Sequence, residues 1–191
     1  MTKEYSPDRL DIKAFAQAGA RLQGNDTLLK YERLAHEAQG LHPDLHVIWQ
    51  ARGELRAGAA DTDADTKGQA AQPWLHLTVQ AALPMLCQRC LTPVEVPLEV
   101  DRWFRFVADE ATAEAQDDDA EEDLLAMSRE FDLRELIEDE LLMGLPLVAS
   151  HEECPVAVVM ASSSEDFDAA EEEKPNPFAS LSNFKADKPS H

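Results

Sequence analysis

Two segments of strand periodicity flank a Cys-x-x-Cys, and this arrangement constrains the chain more than any other feature. From Trp74 to Leu83, the apolar Leu75, Leu77, Val79, Ala81 and Leu83 alternate with Trp74, His76, Thr78 and Gln80. Beyond the cysteines, Val94, Val96, Leu98 and Val100 alternate with Glu95, Pro97, Glu99 and Asp101, and Trp103 to Val107 extends the run with aromatic and β-branched residues. Alternation of this kind places one face of each segment in a core and the other in water. The two segments are expected to pair as a hairpin with Cys87-Gln88-Arg89-Cys90 at its tip. Pro97 lacks an N–H and so belongs at an edge or bulge. Leu45 to Leu55 repeats the pattern and predicts a third strand.

Helical signals lie on either side. Ser6-Pro7-Asp8 offers an N-cap followed by Pro at the first helical position, which predicts a short helix to about Ala20. Gly24-Asn25-Asp26 is expected to break the chain before a second helix with Leu28, Tyr31, Leu34, Ala35 and Ala38 on one face and a stop at Gly40. Arg21, Lys30 and Arg33 would then form a modest basic surface, whose plain account is solvation. Asp132 and Glu135 have capping-box spacing ahead of a helix that buries Leu133, Leu136, Ile137 and Leu141, turns Glu135, Glu138 and Asp139 to water, and stops at Pro146. A short strand, Leu124 to Met127, would precede it.

Together these elements predict an α+β fold: a mainly antiparallel sheet with a CxxC hairpin, N-terminal helices, one acidic helix packed on it and a flexible C-terminal tail. The expected organisation is a single domain over residues 1–160, with mobile loops near 57–72 and 108–123, followed by an acidic linker and a basic, aromatic tail over 161–191.

Charge sets limits on partners. Residues 109–140 hold 15 acidic and 2 basic side chains and residues 150–173 hold 8 acidic and none basic; the resulting −13 and −8 account for the whole formal charge of −21. Such a chain is repelled by bare nucleic acid as a whole, so RNA would be met through a local neutral-to-basic face or through a protein. No segment approaches the ~20 apolar residues of a membrane-spanning helix. The N-terminus lacks the apolar core of a secretory signal, and three cysteines do not make a disulfide framework, so a cytoplasmic protein is expected.

All three cysteines fall in a C-x2-C and an H-x2-C: Cys87, Cys90, His151 and Cys154. Two paired half-sites of soft and borderline ligands match a closed Cys3His zinc site, which leaves no open position for a catalytic water. Arg89, beside the thiolates, could partly offset their charge. The plainer account is that Cys87 and Cys90 cap a hairpin while Cys154 packs as a small apolar residue. Thiol redox chemistry would want the CxxC at a helix N-terminus, whereas Pro93 and β-branched residues follow it here. No nucleophile elbow, glycine-rich phosphate loop or EF-hand spacing is present, so no catalytic residues and no small-molecule substrate are expected. In the tail, Phe178, Leu181 and Phe184 are expected to form an apolar stripe on a short helix begun at Pro177, with Lys174, Lys185 and Lys188 around it and Asn176 just before it. An island of this kind in a polar linker either docks on a partner or folds back on its own domain.

These residues together resemble the YceD family of bacterial large ribosomal RNA subunit accumulation proteins. The likeness rests on Cys87-Gln88-Arg89-Cys90-Leu91, on Asp132-Leu133 through Glu138-Asp139-Glu140-Leu141-Leu142 and Leu145-Pro146, on His151 with Cys154, and on Lys174-Pro175-Asn176-Pro177-Phe178-Ala179 with Leu181. It implies a non-catalytic factor in the synthesis, processing or stability of large-subunit ribosomal RNA. The resemblance further implies metal and nucleic-acid binding; ribosomal RNA is then the expected partner, the acidic windows add a basic large-subunit ribosomal protein as the direct contact, and the Cys3His spacing makes zinc the expected cofactor. An acidic chaperone or adaptor for another basic protein, or less readily a metal or thiol enzyme, are the alternatives.

Overall fold

The computed structural model describes residues 4–56 and 71–157. Five strands form one sheet in the order β1-β2-β3-β4-β5: β1 Arg21–Thr27, β2 His46–Arg56, β3 Gln72–Leu86, β4 Pro93–Val107 and β5 Asp123–Ala126. The first four pair antiparallel, and β5 joins β4 in parallel over Phe104–Val107. Around the sheet lie α1 Ile12–Gln17, α2 Glu32–Glu37, α3 Glu110–Gln116 and α4 Leu133–Met143. All of these elements belong to a compact unit that ends at Glu153; of the unit beginning at Cys154, residues 154–157 are described and carry no helix or strand.

The alternating apolar residues do what their period requires. Val47, Trp49 and Ala51 of β2, Leu75, Leu77, Val79 and Leu83 of β3, and Leu98, Val100, Phe104 and Phe106 of β4 fill one face. Against it pack Ile12 and Phe15 of α1, Leu34 of α2, and Leu133, Ile137 and Leu141 of α4. The expected α+β architecture is therefore the observed one. Pro97 pairs with Ala82, in the part of β4 that β5 does not reach, so its missing N–H faces an edge.

Four local expectations are corrected. The first helix begins not at Pro7 but at Ile12, where the Asp11 carboxylate accepts the Ala14 N–H at 3.0 Å. Gly24-Asn25-Asp26 does not break the chain; it lies inside β1. A Cβ at position 24 would stand 2.5 Å from the Trp49 indole, so glycine is there to let that ring lie across the strand. The expected second helix shrinks to a 3-10 turn, Leu28–Lys30, followed by the short α2, which ends before Gly40. Residues 108–123 are not wholly loop, because Asp109 caps α3 through the Thr112 N–H at 2.9 Å and Ala113 is buried where α3 meets β5 and β4.

A fifth correction concerns charge. Glu138 and Asp139 do not simply face water, and Lys30 and Arg33 do not form an open basic surface. The Glu138 carboxylate accepts the backbone N–H groups of Arg33 and Leu34 at 2.7 and 3.1 Å and the Arg33 Nε–H at 2.9 Å. It thus caps α2 from another helix, where the Tyr31 side chain at the N-cap makes no capping bond. Arg33 also meets Asp139 at 2.6 Å. Asp26, buried, accepts from Lys30 at 2.6 Å, Trp49 Nε1 at 2.9 Å, the Tyr31 hydroxyl at 3.3 Å and Arg134 Nε at 3.4 Å. Burial pushes its pKa up, but the Lys30 and Trp49 hydrogen bonds and the positive charges of Arg134 and Lys30 outweigh this and hold the carboxyl at about 2.

Candidate metal centre

The β3–β4 turn positions the first half-site. Its geometry comes from two backbone bonds, Cys87 N–H to Thr92 C=O and Leu91 N–H to Cys87 C=O, each 2.9 Å. They close the loop around Cys87 and Cys90, with Cys87 fully buried. Asp132 fixes the start of α4 by accepting the Arg134 and Glu135 N–H groups at 2.9 and 3.0 Å, and the helix ends where Gly144 donates to Glu140 C=O at 3.0 Å. The chain then runs past Pro146 to Ala149, whose carbonyl accepts the Gln88 N–H at 2.9 Å. That bond delivers His151 to the cysteine turn.

The ligand atoms of Cys87, Cys90, His151 and Cys154 all lie within 4.8 Å of one another. A tetrahedral zinc with bonds of about 2.3 Å to sulfur needs ligand atoms roughly 3.8 Å apart, so the set requires only a small contraction to close on an ion. Three sulfurs and one imidazole are also the donor set that zinc takes in structural sites. His151 Nδ1 stands 3.5 Å from Cys90 Sγ, and Thr92 Oγ1 lies 3.1 Å from the same sulfur.

Electrostatics favour the ligand state of the Cys87 thiol. Burial pushes the Cys87 thiol up, yet the backbone N–H groups of Cys90, His151 and Arg89, with the His151 ring, pull it down to about 5. The hydrogen bond from His151 to Cys87 raises the imidazole pKa. Without an ion, a Cys87 thiolate and a protonated His151 ring stabilise one another, and a metal binding both would compete with the ring proton.

Arg89 has a different role from the one its position beside the thiolates suggests. Its guanidinium donates to the carbonyls of His151 and Glu152, the latter at 3.1 Å, and so fastens the two half-sites. Neither this nor the Gln88–Ala149 bond is encoded by residue type, because both acceptors are main-chain carbonyls. The tail residues Lys174, Asn176, Pro177, Phe178, Leu181, Phe184 and Lys185 lie outside the described residues. Among the described residues, no helix is long and apolar enough to cross a membrane.

Fold and cluster together define an α+β protein in which a cysteine-tipped hairpin and the segment following an acidic helix converge on a Cys3His cluster. Residues 75–185 match the family model of the large ribosomal RNA subunit accumulation protein YceD, and the chain belongs to the YceD family. A curated relative, the large ribosomal RNA subunit accumulation protein YceD of Haemophilus influenzae (strain ATCC 51907 / DSM 11121 / KW20 / Rd), is 36% identical over 112 residues. That match covers 56% of this chain and 62% of the relative. No solved structure matches.

Proposed function

We propose that this chain is a non-catalytic, cytoplasmic factor that supports the synthesis, processing or stability of large-subunit ribosomal RNA. The observation that carries the reading is the family match, which runs from β3 through α4 and the Cys3His cluster to residue 185. In this reading Cys87, Cys90, His151 and Cys154 hold one zinc ion as a closed structural site. Bound zinc would supply charge neutralisation and a four-point crosslink; the residues themselves aim the hairpin tip and the segment after α4 at one another. The acidic windows, −13 over residues 109–140 and −8 over 150–173, favour a basic large-subunit ribosomal protein as the direct partner, through which the RNA is reached. Lys174, Asn176, Pro177, Phe178, Leu181, Phe184 and Lys185 of the tail beyond residue 160 supply a second partner contact.

The test is the ratio of large- to small-subunit ribosomal RNA in cells depleted of the protein and in cells rescued with the intact chain. A selective fall in the large-subunit RNA, restored on rescue, is the expected result; an unchanged ratio overturns the reading. The same charge distribution favours a second account, an acidic adaptor for basic proteins outside the ribosome, which an unchanged ratio would leave standing. Purified under metal-retaining conditions, the chain is expected to carry one zinc per molecule by elemental analysis, and the Cys90→Ser variant much less.

A further inference from the structure

The tip of the cysteine hairpin presents apolar side chains where a self-contained domain would have polar ones. Leu147 is fully exposed, and Leu91, Val148 and Met143 are each more than half exposed. Leu91 sits in the turn itself, while Leu147 and Val148 immediately precede Ala149, whose carbonyl is tied to the Gln88 N–H at 2.9 Å. Met143 ends α4, just upstream. Large exposed apolar residues on two segments joined by a backbone bond are a feature that marks interaction surfaces.

Leu91 adds an independent sign. Its φ is +58°, and it is the one residue other than glycine with a positive φ among those described. The left-handed region is strained for a γ-branched side chain and free of cost for glycine. A leucine kept there, with its side chain in water, does nothing for the fold of the turn that glycine would not do better.

Charge states what covers the surface. Glu95, four residues beyond Leu91 in β4, and Glu152 and Glu153, a few residues beyond Val148, are exposed, and Arg89 of the same turn is engaged with the carbonyls of His151 and Glu152. We propose that Leu91, Leu147 and Val148 form an apolar anchor site, rimmed by Glu95, Glu152 and Glu153, for a lysine- and arginine-rich segment of a large-subunit ribosomal protein. The inference rests on the function proposed above and names the surface that serves it. Anchors at the centre of such a patch carry most of its affinity, while the rim carboxylates set approach and salt dependence.

The test places a photoreactive benzoylphenylalanine at position 147 of the full chain in cells, with position 48 as a comparison. Ile48 is half exposed and lies on the sheet face opposite the core. Position 147 is expected to cross-link a basic large-subunit ribosomal protein identified by mass spectrometry, and position 48 is not. With the probe at 147, Leu91→Gly is expected to lower that cross-link at least about fivefold, while the thermal midpoint stays or rises. A purely structural role for Leu91 would not produce that pair of results. Cross-linking to RNA, to a second copy of this chain, or equally from position 48 overturns the proposal, as does a cross-link that Leu91→Gly leaves intact. A fall in Tm with Leu91→Gly also counts against it, because it would show that leucine serves the turn. If depletion leaves the ribosomal RNA ratio unchanged, the proposed function fails. If the ratio falls on depletion but is fully restored by a chain carrying Leu91→Gly and Leu147→Asp, only the surface fails.

Discussion

Replacing Asp26 by asparagine tests whether the N-terminal segment is locked to the sheet by charge. The carboxylate is buried between β1, β2 and α4, where Lys30, Trp49, Tyr31 and Arg134 all donate to it. Folding lowers its pKa from the ordinary 3.8 to about 2. At ~1.4 kcal/mol per pH unit of difference, the ionised carboxylate contributes about 2 kcal/mol at neutral pH. Because the folded pKa is the lower one, this stability is fully present above pH 3.8 and is lost as pH falls through about 2. The Asp26→Asn substitution keeps the shape and removes the charge, so the variant should unfold in urea about 1 M earlier at pH 7, taking m as about 2 kcal/mol/M. The gap between wild type and variant should close as the pH is lowered from 4 toward 2. A gap that stays constant over that range, or one below about 0.5 kcal/mol at pH 7, would refute the assignment of the stabilisation to the ionised carboxylate.

Glu138→Gln keeps an oxygen able to accept both α2 N–H groups but loses the ion pair to Arg33, and is expected to cost about 1 kcal/mol by urea denaturation, with Glu138→Ala costing more. Gly24→Ala drives a methyl to within 2.5 Å of the Trp49 ring and should cost about 1–3 kcal/mol, with a shift in indole fluorescence reporting the displaced ring. Removal of metal by a strong chelator should lower the thermal midpoint and speed proteolysis near residue 150, while Cys90→Ser should abolish the chelator's effect. Titrating zinc into metal-free chain in weakly buffered solution should release protons, since a cysteine still protonated must lose its proton to bind the ion; proton uptake would exclude these residues as ligands.

The strands were legible because Leu75 to Leu83 and Val94 to Val100 alternate without interruption, and a one-residue slip would turn every apolar side chain to water. β1 was not, because Gly24, Asn25 and Asp26 are turn residues by propensity and only the tertiary structure explains them. Gly24 makes room for Trp49, and Asp26 finds four donors on residues distant in sequence or a turn away. The same blindness hid Glu138, whose place on the expected wet face of α4 says nothing about the free N–H groups of α2 that it meets. At the cluster, residue types and spacing pointed to the four side chains that the fold brings together, a Cys-x2-Cys and a His-x2-Cys. What holds the half-sites together is unspecific in sequence: one main-chain bond from Gln88 to Ala149 and the Arg89 guanidinium on two carbonyls.

These contacts bear on how the cluster relates to the surface beside it. The hairpin tip is joined to the segment after α4 by polar contacts that stand at the protein's rim, where water competes with each one. An ion shared by the two half-sites would make that junction rigid and so hold Leu91 and Leu147 in a fixed relation. Pre-organisation of this kind lowers the ordering cost of binding rather than adding contacts. Chelation should therefore weaken partner cross-linking from position 147 even at temperatures where the sheet, whose core lies on the far side of Leu83 and Leu98, remains folded. Cross-linking that survives chelation unchanged would separate the two sites and leave the metal a role in stability alone.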